Sequence, residues 1–236
     1  MAVNRDSRRL AVLIDADNAS PKIADALFDE VAKIGEASLR RIYGDFSGGK
    51  LKSWADILAR HAILPQQQFA YTTGKNSSDI ALVIDAMDLL HSGRFDGFCL
   101  VSSDSDFTRL AARIREEGTD VFGIGKANTP ESFRQACTRF IYTENFTSEL
   151  EAGTPRKGAL RPMREATSLL IKATDEVEED ADGWYQLGAV GTRLGNLSSE
   201  FDTRSYGHKK LSDLVKATGR FEIAISGQRL RIRRID

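Results

Sequence analysis

Cysteine is scarce in this chain: 236 residues contain two, Cys99 and Cys137, and no C-x-x-C spacing. That argues against a disulfide framework or a cysteine zinc site and fits a reducing cytosol. An excess of charge of either sign is also missing. Lys and Arg number 33 against 34 Asp and Glu, a net charge of -1. No global basic field announces nucleic acid, so a polyanion would have to be met by local patches or through a metal. The three histidines are scattered, with no catalytic partner in view. No apolar run approaches the length of a membrane span, and the polar start, Met1 to Arg9, lacks the apolar stretch of a signal peptide. The expectation is a cytoplasmic chain with no membrane partner. Internal repeats are absent.

What the chain does have is a pair of apolar strands that end in acids. Phe98-Cys99-Leu100-Val101 stops at Ser102-Ser103 and then delivers Asp104 and Asp106 before a helix begins. Leu10-Ala11-Val12-Leu13-Ile14 is followed in the same way by Asp15-Ala16-Asp17-Asn18. In parallel sheets, ligands sit beyond the carboxyl ends of the strands, where the loop into the next helix is free to carry chemistry. Acids brought to one sheet edge from two strands point to a hard divalent cation, which takes oxygen ligands. Taken singly, Asp104 or Asp106 reads more simply as a helix cap. The coincidence of the two stretches favours a site.

Around these strands the pattern alternates. Ser20-Pro21 opens a helix that runs to Ile34, Ser38 to Phe46 is a strand, and Leu51 to His61 reads as a helix carrying Trp54, Ile57 and Leu58. A short strand follows around Ile63 to Phe69, interrupted by Pro65. The loop Thr72 to Ser78 precedes a helix from Asp79 to His91. On a helical wheel Ile80, Val83, Ile84, Met87 and Leu90 share a face with Asp79 at its margin, and Asp85 falls on the far side, either solvated or packed against another element. A helix over 107–117, a strand over 121–125, a helix over 130–136 and a strand over 140–142 complete the series. This alternation predicts an α/β domain with a parallel sheet covered by helices on both faces. Residues 147–161 read as a polar linker. Beyond it, three helices and a terminal hairpin of Phe221 to Ile225 and Arg229 to Arg233 have the plan of a small winged-helix (α+β) domain. The expected domains are therefore 1–146 and 162–236.

Asp15, Asp79, Asp104 and Asp106 come from three separated segments that such a sheet would gather at one edge. Without a cation they would repel, and at least one would stay protonated. With Mg²⁺ or Mn²⁺ they would polarise a phosphoryl oxygen, lower the pKa of bound water and stabilise a leaving oxygen, which suits phosphodiester hydrolysis. Asn18 would orient a carboxylate or a phosphate, although an Asn in such a loop is as often a turn residue.

The elements Ile14 to Asn18, Lys75 to Ile80 and Ser102 to Phe107, in that order and spacing, resemble the NYN domain of the PIN-like nuclease superfamily, in its LabA-like group. The resemblance covers residues 8–146. Residues 162–236 resemble, more weakly, the LOTUS or OST-HTH winged-helix module. The resemblance implies a PIN-like sheet and a metal-dependent ribonuclease, with Asp15, Asp79, Asp104 and Asp106 as metal ligands and catalytic residues, assisted by Asn18. The cofactor implied is Mg²⁺ or Mn²⁺ and the substrate single-stranded RNA. The second module implies binding of RNA or of a protein partner, and the chain leaves room for a homodimer.

An RNA strand needs cations for its phosphates and flat groups for its bases. Near the expected site these are Lys50, Lys52, Lys75 and Arg109, with Trp54; each alone reads more simply as a solvated cation or a core tryptophan. In the second domain Lys209, Lys210, Arg229, Arg231, Arg233 and Arg234 form a basic patch, and a charged edge strand also serves to prevent aggregation. Two other functions compete. One is a regulatory protein that binds RNA or protein with a degenerate nuclease site. The other is a phosphatase of the haloacid-dehalogenase type built on Asp15-x-Asp17, against which Ala19 stands where that pattern wants Thr or Val.

Overall fold

The computed structural model describes residues 8–69, 77–146, 160–227 and 229–235, and the chain forms two compact units divided between residues 156 and 157. In the first unit the leading strand, β1 (Arg9–Asp15), is buried at every position but its first, because the sheet is covered on both faces. Ser20 then caps a 3-10 turn, its Oγ accepting from the Lys22 amide at 3.4 Å, with Pro21 at the first position. From this turn grows α1 (Ala24–Ala32). There follow β2 (Glu36–Gly44), α2 (Lys52–Ala55), β3 (Leu64–Gln67), α3 (Ser77–His91), β4 (Gly97–Val101), α4 (Thr108–Glu116), β5 (Asp120–Gly125), α5 (Glu131–Ala136) and β6 (Arg139–Tyr142).

The six strands form one sheet in the order β3-β2-β1-β4-β5-β6, and every neighbouring pair is parallel. Leu10, Val12 and Ile14 pack on one face with Leu27 of α1 and Trp54 of α2. Ala11 and Leu13 pack on the other with Leu82 of α3, Leu110 of α4 and Phe133 of α5. The strand order reverses between β1 and β4, so the loops leaving these two strands part and open a crevice beyond their carboxyl ends. Asp15 and the run Ser102 to Asp106 emerge there.

Two expectations about this unit need correcting. The helix expected over 51–61 is a single turn, α2, after which turns such as Ile57 N–H to Trp54 C=O (3.0 Å) lead to Ala62 at φ 51°. Trp54 is 1% exposed and Ile63 is buried; the chain breaks its helix to seat both before β3. Second, α3 turns a different face to the sheet. Leu82, Ala86 and Leu89 are buried, whereas Ile80 and Ile84 are 60% and 58% exposed. Of the two readings of Asp85, solvated or packed against another element, the second holds: it accepts hydrogen bonds from Arg41 and Tyr43 of β2. The helix is apolar around most of its girth, so the wheel alone could not choose, and the polar partner in β2 did. Asp79, one turn before Leu82, keeps its place on the sheet side.

The second unit contains α6 (Met163–Asp175), β7 (Tyr185–Gln186), α7 (Leu187–Leu197), α8 (Leu211–Thr218), β8 (Phe221–Ser226) and β9 (Arg229–Arg234). Its sheet is antiparallel in the order β7-β9-β8. Leu170, Val190, Leu194, Val215, Phe221 and Ile232 close its core. Gly219, at φ 64°, takes the left-handed position that ends α8 and turns the chain into the hairpin. The short strand β7 was not expected. Three helices with a winged hairpin are the architecture read from the sequence. Among the described residues no helix is long and apolar enough to cross a membrane.

Candidate metal centre

Asp15 ends β1 with its carboxylate 1% exposed. Its Oδ2 accepts from Ser102 Oγ and from Asn18 Nδ2, both at 2.7 Å. Its Oδ1 accepts from the backbone amides of Asp17 at 3.1 Å and Asn18 at 3.3 Å. Burial raises its pKa, and these donors work against that rise by favouring the charged form. Asn18 thus serves both readings made of it, as a turn residue and as a donor to a carboxylate. Ser102 Oγ also accepts from the Asp104 amide at 3.1 Å, so one hydroxyl joins the ends of β1 and β4. Ser102 was not among the expected site residues; the sign of it was the small hydroxyl pair at the end of the apolar run. Gly125 in β5 permits the close packing of this strand end, since a Cβ there would lie 2.5 Å from the Ser102 carbonyl oxygen.

Asp104 caps the 3-10 turn Ser105–Phe107, its Oδ1 accepting from the Asp106 amide at 2.9 Å. The plain capping reading therefore holds, and it does not compete with the other one. Oxygen atoms of Asp79, Asp104 and Asp106 lie within 4.8 Å of one another. The Asp79 pKa is pushed up to about 6, by burial first and then by the charges of Asp15, Asp104, Asp106 and Asp17. Three converging carboxylates, of which Asp79 has its proton affinity raised by burial and by its acidic neighbours, are a donor set with unspent negative charge. All-oxygen, carboxylate-rich and partly open, it fits a hard divalent cation such as Mg²⁺ or Mn²⁺. Asp15 borders this cluster by its charge, but its own oxygens are occupied by protein donors. That occupancy also speaks against a phosphatase in which Asp15 would be the nucleophile.

The cations distribute unevenly. Lys50 Nζ pairs with Asp17 at 2.5 Å and Lys52 Nζ with Asp56 at 3.0 Å. Trp54 is a core residue whose Nε1 donates to the Ala19 carbonyl at 3.0 Å, so it offers no face to a base. Arg109 is exposed on α4, directly after the acidic turn, with no ion pair among the described residues. Lys75 and most of its loop lie outside the described residues. In the second unit Lys209, Lys210 and Arg229 are exposed and have no ion pair among the described residues. Arg231 and Arg233 are engaged internally. Arg231 pairs with Asp180 at 3.2 Å and Arg233 with Glu222 at 2.7 Å, and both guanidinium groups lie over the Trp184 ring, at 4.8 and 4.7 Å from its centroid. Arg234 is bound to Asp175 and the Ile171 carbonyl.

With strand order, acids and their spacing in place, the comparison with known families is decisive. The NYN domain model matches residues 9–148. The chain belongs to the NYN domain family. The OST-HTH/LOTUS domain model matches residues 161–232, so this NYN protein carries that module after its nuclease-like unit. Among solved structures, the crystal structure of a protein of unknown function from Vibrio parahaemolyticus is similar in fold. It has 16% sequence identity and a TM-score of 0.51, over 60% of this chain and 96% of that one. The solution structure of an uncharacterized protein from Nitrosomonas europaea matches 36% of this chain and 83% of its own, at 35% identity and a TM-score of 0.28. No curated protein matches. An NYN domain of PIN-like nuclease type joined to an OST-HTH/LOTUS domain supports a nuclease or RNA-binding role.

Proposed function

We propose that this NYN protein is a ribonuclease that cuts single-stranded RNA internally and depends on Mg²⁺ or Mn²⁺. In this reading residues 1–146 carry the chemistry, 147–161 link, and 162–236 recognise RNA or a partner. The observation that carries it is the convergence of Asp79, Asp104 and Asp106 at the crevice where the strand order reverses. These three would hold the ion, with Asp15 adding negative charge beside them. A bound ion would supply Lewis-acid stabilisation of phosphoryl oxygens and a more acidic water. The chain's own residues do the rest. Ser102 and Asn18 donate to Asp15 and favour its charged form against the effect of burial, and the Asp104 cap fixes the turn that presents Asp106. Arg109, on the helix that leaves this turn, is free to meet an RNA phosphate.

A second reading is favoured by one observation, the complete occupation of the Asp15 oxygens. If hydrolysis needs Asp15 itself as a ligand of the ion, its commitment to Ser102 and Asn18 leaves a unit that binds RNA without hydrolysing it. Labelled single-stranded RNA incubated with Mn²⁺ and wild-type protein or Asp104→Asn separates the two. Cleavage by wild type alone supports the nuclease. Equal cleavage by both proteins refutes it, and tight binding with no turnover by either supports the second reading.

A further inference from the structure

Asp85 lies on α3 six residues after Asp79, about 9 Å along the helix axis. Each of its carboxylate oxygens accepts one hydrogen bond, Oδ1 from Arg41 and Oδ2 from Tyr43. The Tyr43 ring is buried, and the Arg41 and Asp85 side chains are 26% and 22% exposed. Burial and the neighbouring Asp85 raise the Tyr43 pKa, which keeps its hydroxyl protonated as a donor. The other contacts of α3 with this core are apolar: Leu82, Ala86 and Leu89 are buried, and Ala81, Val83, Met87 and Leu90 pack beside them partly buried. Apolar contacts hold a helix down without choosing its rotation or its axial register, since burial is not directional. A carboxylate shared by a guanidinium and a phenol does choose, because charge-assisted hydrogen bonds fix geometry as well as distance.

The choice matters at the other end of the helix. A slip of one residue turns α3 by about 100°, enough to take Asp79 away from Asp104 and Asp106. The strand that grips Asp85 is also the one beside the acidic loop: Tyr43 is the register partner of Asp15, and its carbonyl accepts from Ala16 N–H at 3.0 Å. We propose that Asp85, held by Arg41 and Tyr43, is a positioning residue that sets Asp79 in the acidic cluster, an inference that rests on the metal-centre reading above.

The test is Mn²⁺ titration of the full chain, read from the electron paramagnetic resonance signal of free Mn²⁺, beside thermal unfolding in metal-free buffer. Asp85→Asn is expected to weaken Mn²⁺ binding about tenfold or more, the scale on which groups that orient metal ligands act. The pair Arg41→Leu with Asp85→Leu replaces the ion pair by apolar packing, which commonly preserves stability, and is expected to keep the melting temperature while losing affinity to the same degree. Tyr43→Phe, which leaves the Arg41 to Asp85 bond in place, is expected to retain most of the affinity. If either Asp85 variant binds Mn²⁺ as wild type does, Asp85 is only a helix anchor and the proposal is overturned. Wild-type protein that binds no Mn²⁺ is a different result: it removes the metal-centre reading and this inference with it.

Discussion

Ser102 Oγ donates a 2.7 Å hydrogen bond to Asp15 Oδ2, joining residues 87 positions apart across the boundary between β1 and β4. The same oxygen receives the Asp104 amide. One hydroxyl therefore ties the buried acid of the first strand to the loop that carries two of the clustered acids. Ser102→Ala leaves Oδ2 of a buried carboxylate with Asn18 as its remaining side-chain donor. A loss of about 1.5–3 kcal/mol in unfolding free energy is expected, the usual worth of a hydrogen bond to a charged group. Denaturant titration measures it, and Ser102→Thr should recover most of the loss. Unchanged stability in Ser102→Ala would mean the bond is not made in solution.

Asp79→Asn removes one charge from a set of acids that repel one another. Metal-free protein should then melt a few degrees higher than wild type. The gain in melting temperature that Mn²⁺ gives wild type should disappear in the variant. Such a trade of stability for function is common where a site stores unfavourable charge. A variant that melts lower without metal, yet still responds to Mn²⁺, would contradict this account of the cluster.

The pH dependence has a definite sign. Asp79 titrates at about 6 in the folded chain against 3.8 as an isolated group. Between those values the folded state holds a proton that the unfolded state has released, so metal-free stability should rise as pH falls from 7 toward 4. Asp15 is shifted in the same direction. Asp96 and Asp180 are shifted the other way, and their contributions are lost only below about pH 4. Mn²⁺ must displace the proton from Asp79 below pH 6, so affinity should fall up to about tenfold per pH unit there and level off above it. Thermal unfolding and Mn²⁺ titration across pH 5–8 check both slopes. Metal affinity independent of pH over that range would remove Asp79 from the ligand set.

In the second unit the arginines of β9 should divide into two kinds. Arg229→Ala, alone or with Lys209→Ala and Lys210→Ala, is expected to weaken RNA binding and to lower the salt slope by about 1 for each phosphate left without its cation. Folding should be unaffected. Arg231→Ala and Trp184→Ala break the stack of Arg231 and Arg233 on Trp184, and each should destabilise this unit by about 1–2 kcal/mol. Hydrogen exchange of the β7-β9-β8 sheet reports the second effect and filter binding in graded salt the first. Equal loss of RNA affinity from Arg229→Ala and Arg231→Ala, at wild-type stability, would reverse this division.

Local chemistry made the strands legible. An apolar run such as Phe98 to Val101, closed by serines and acids, has few alternatives to a buried strand that ends in a loop. Repeated with helical stretches between, it leaves little besides a parallel sheet with helices on both faces. The choice among faces of α3 was not legible in the same way, because Ile80 and Ile84 are as apolar as Leu82 and Leu89. The helix expected over 51–61 failed for a related reason: its pattern was helical, but the buried seats of Trp54 and Ile63 lie where a straight helix cannot place both.

By itself, then, the sequence determined the class of the fold, its two modules and the strand ends at which acids gather, since all three follow from runs of neighbouring residues. Only the tertiary structure decided which oxygens converge, that Asp15 spends its lone pairs on Ser102 and Asn18, that Asp85 answers to Arg41 and Tyr43, and that Trp184 takes up two of the basic wing's arginines. Each of these depends on partners between 2 and 87 positions apart. Most such pairings are contacts between elements, and a one-dimensional pattern does not state which elements will meet.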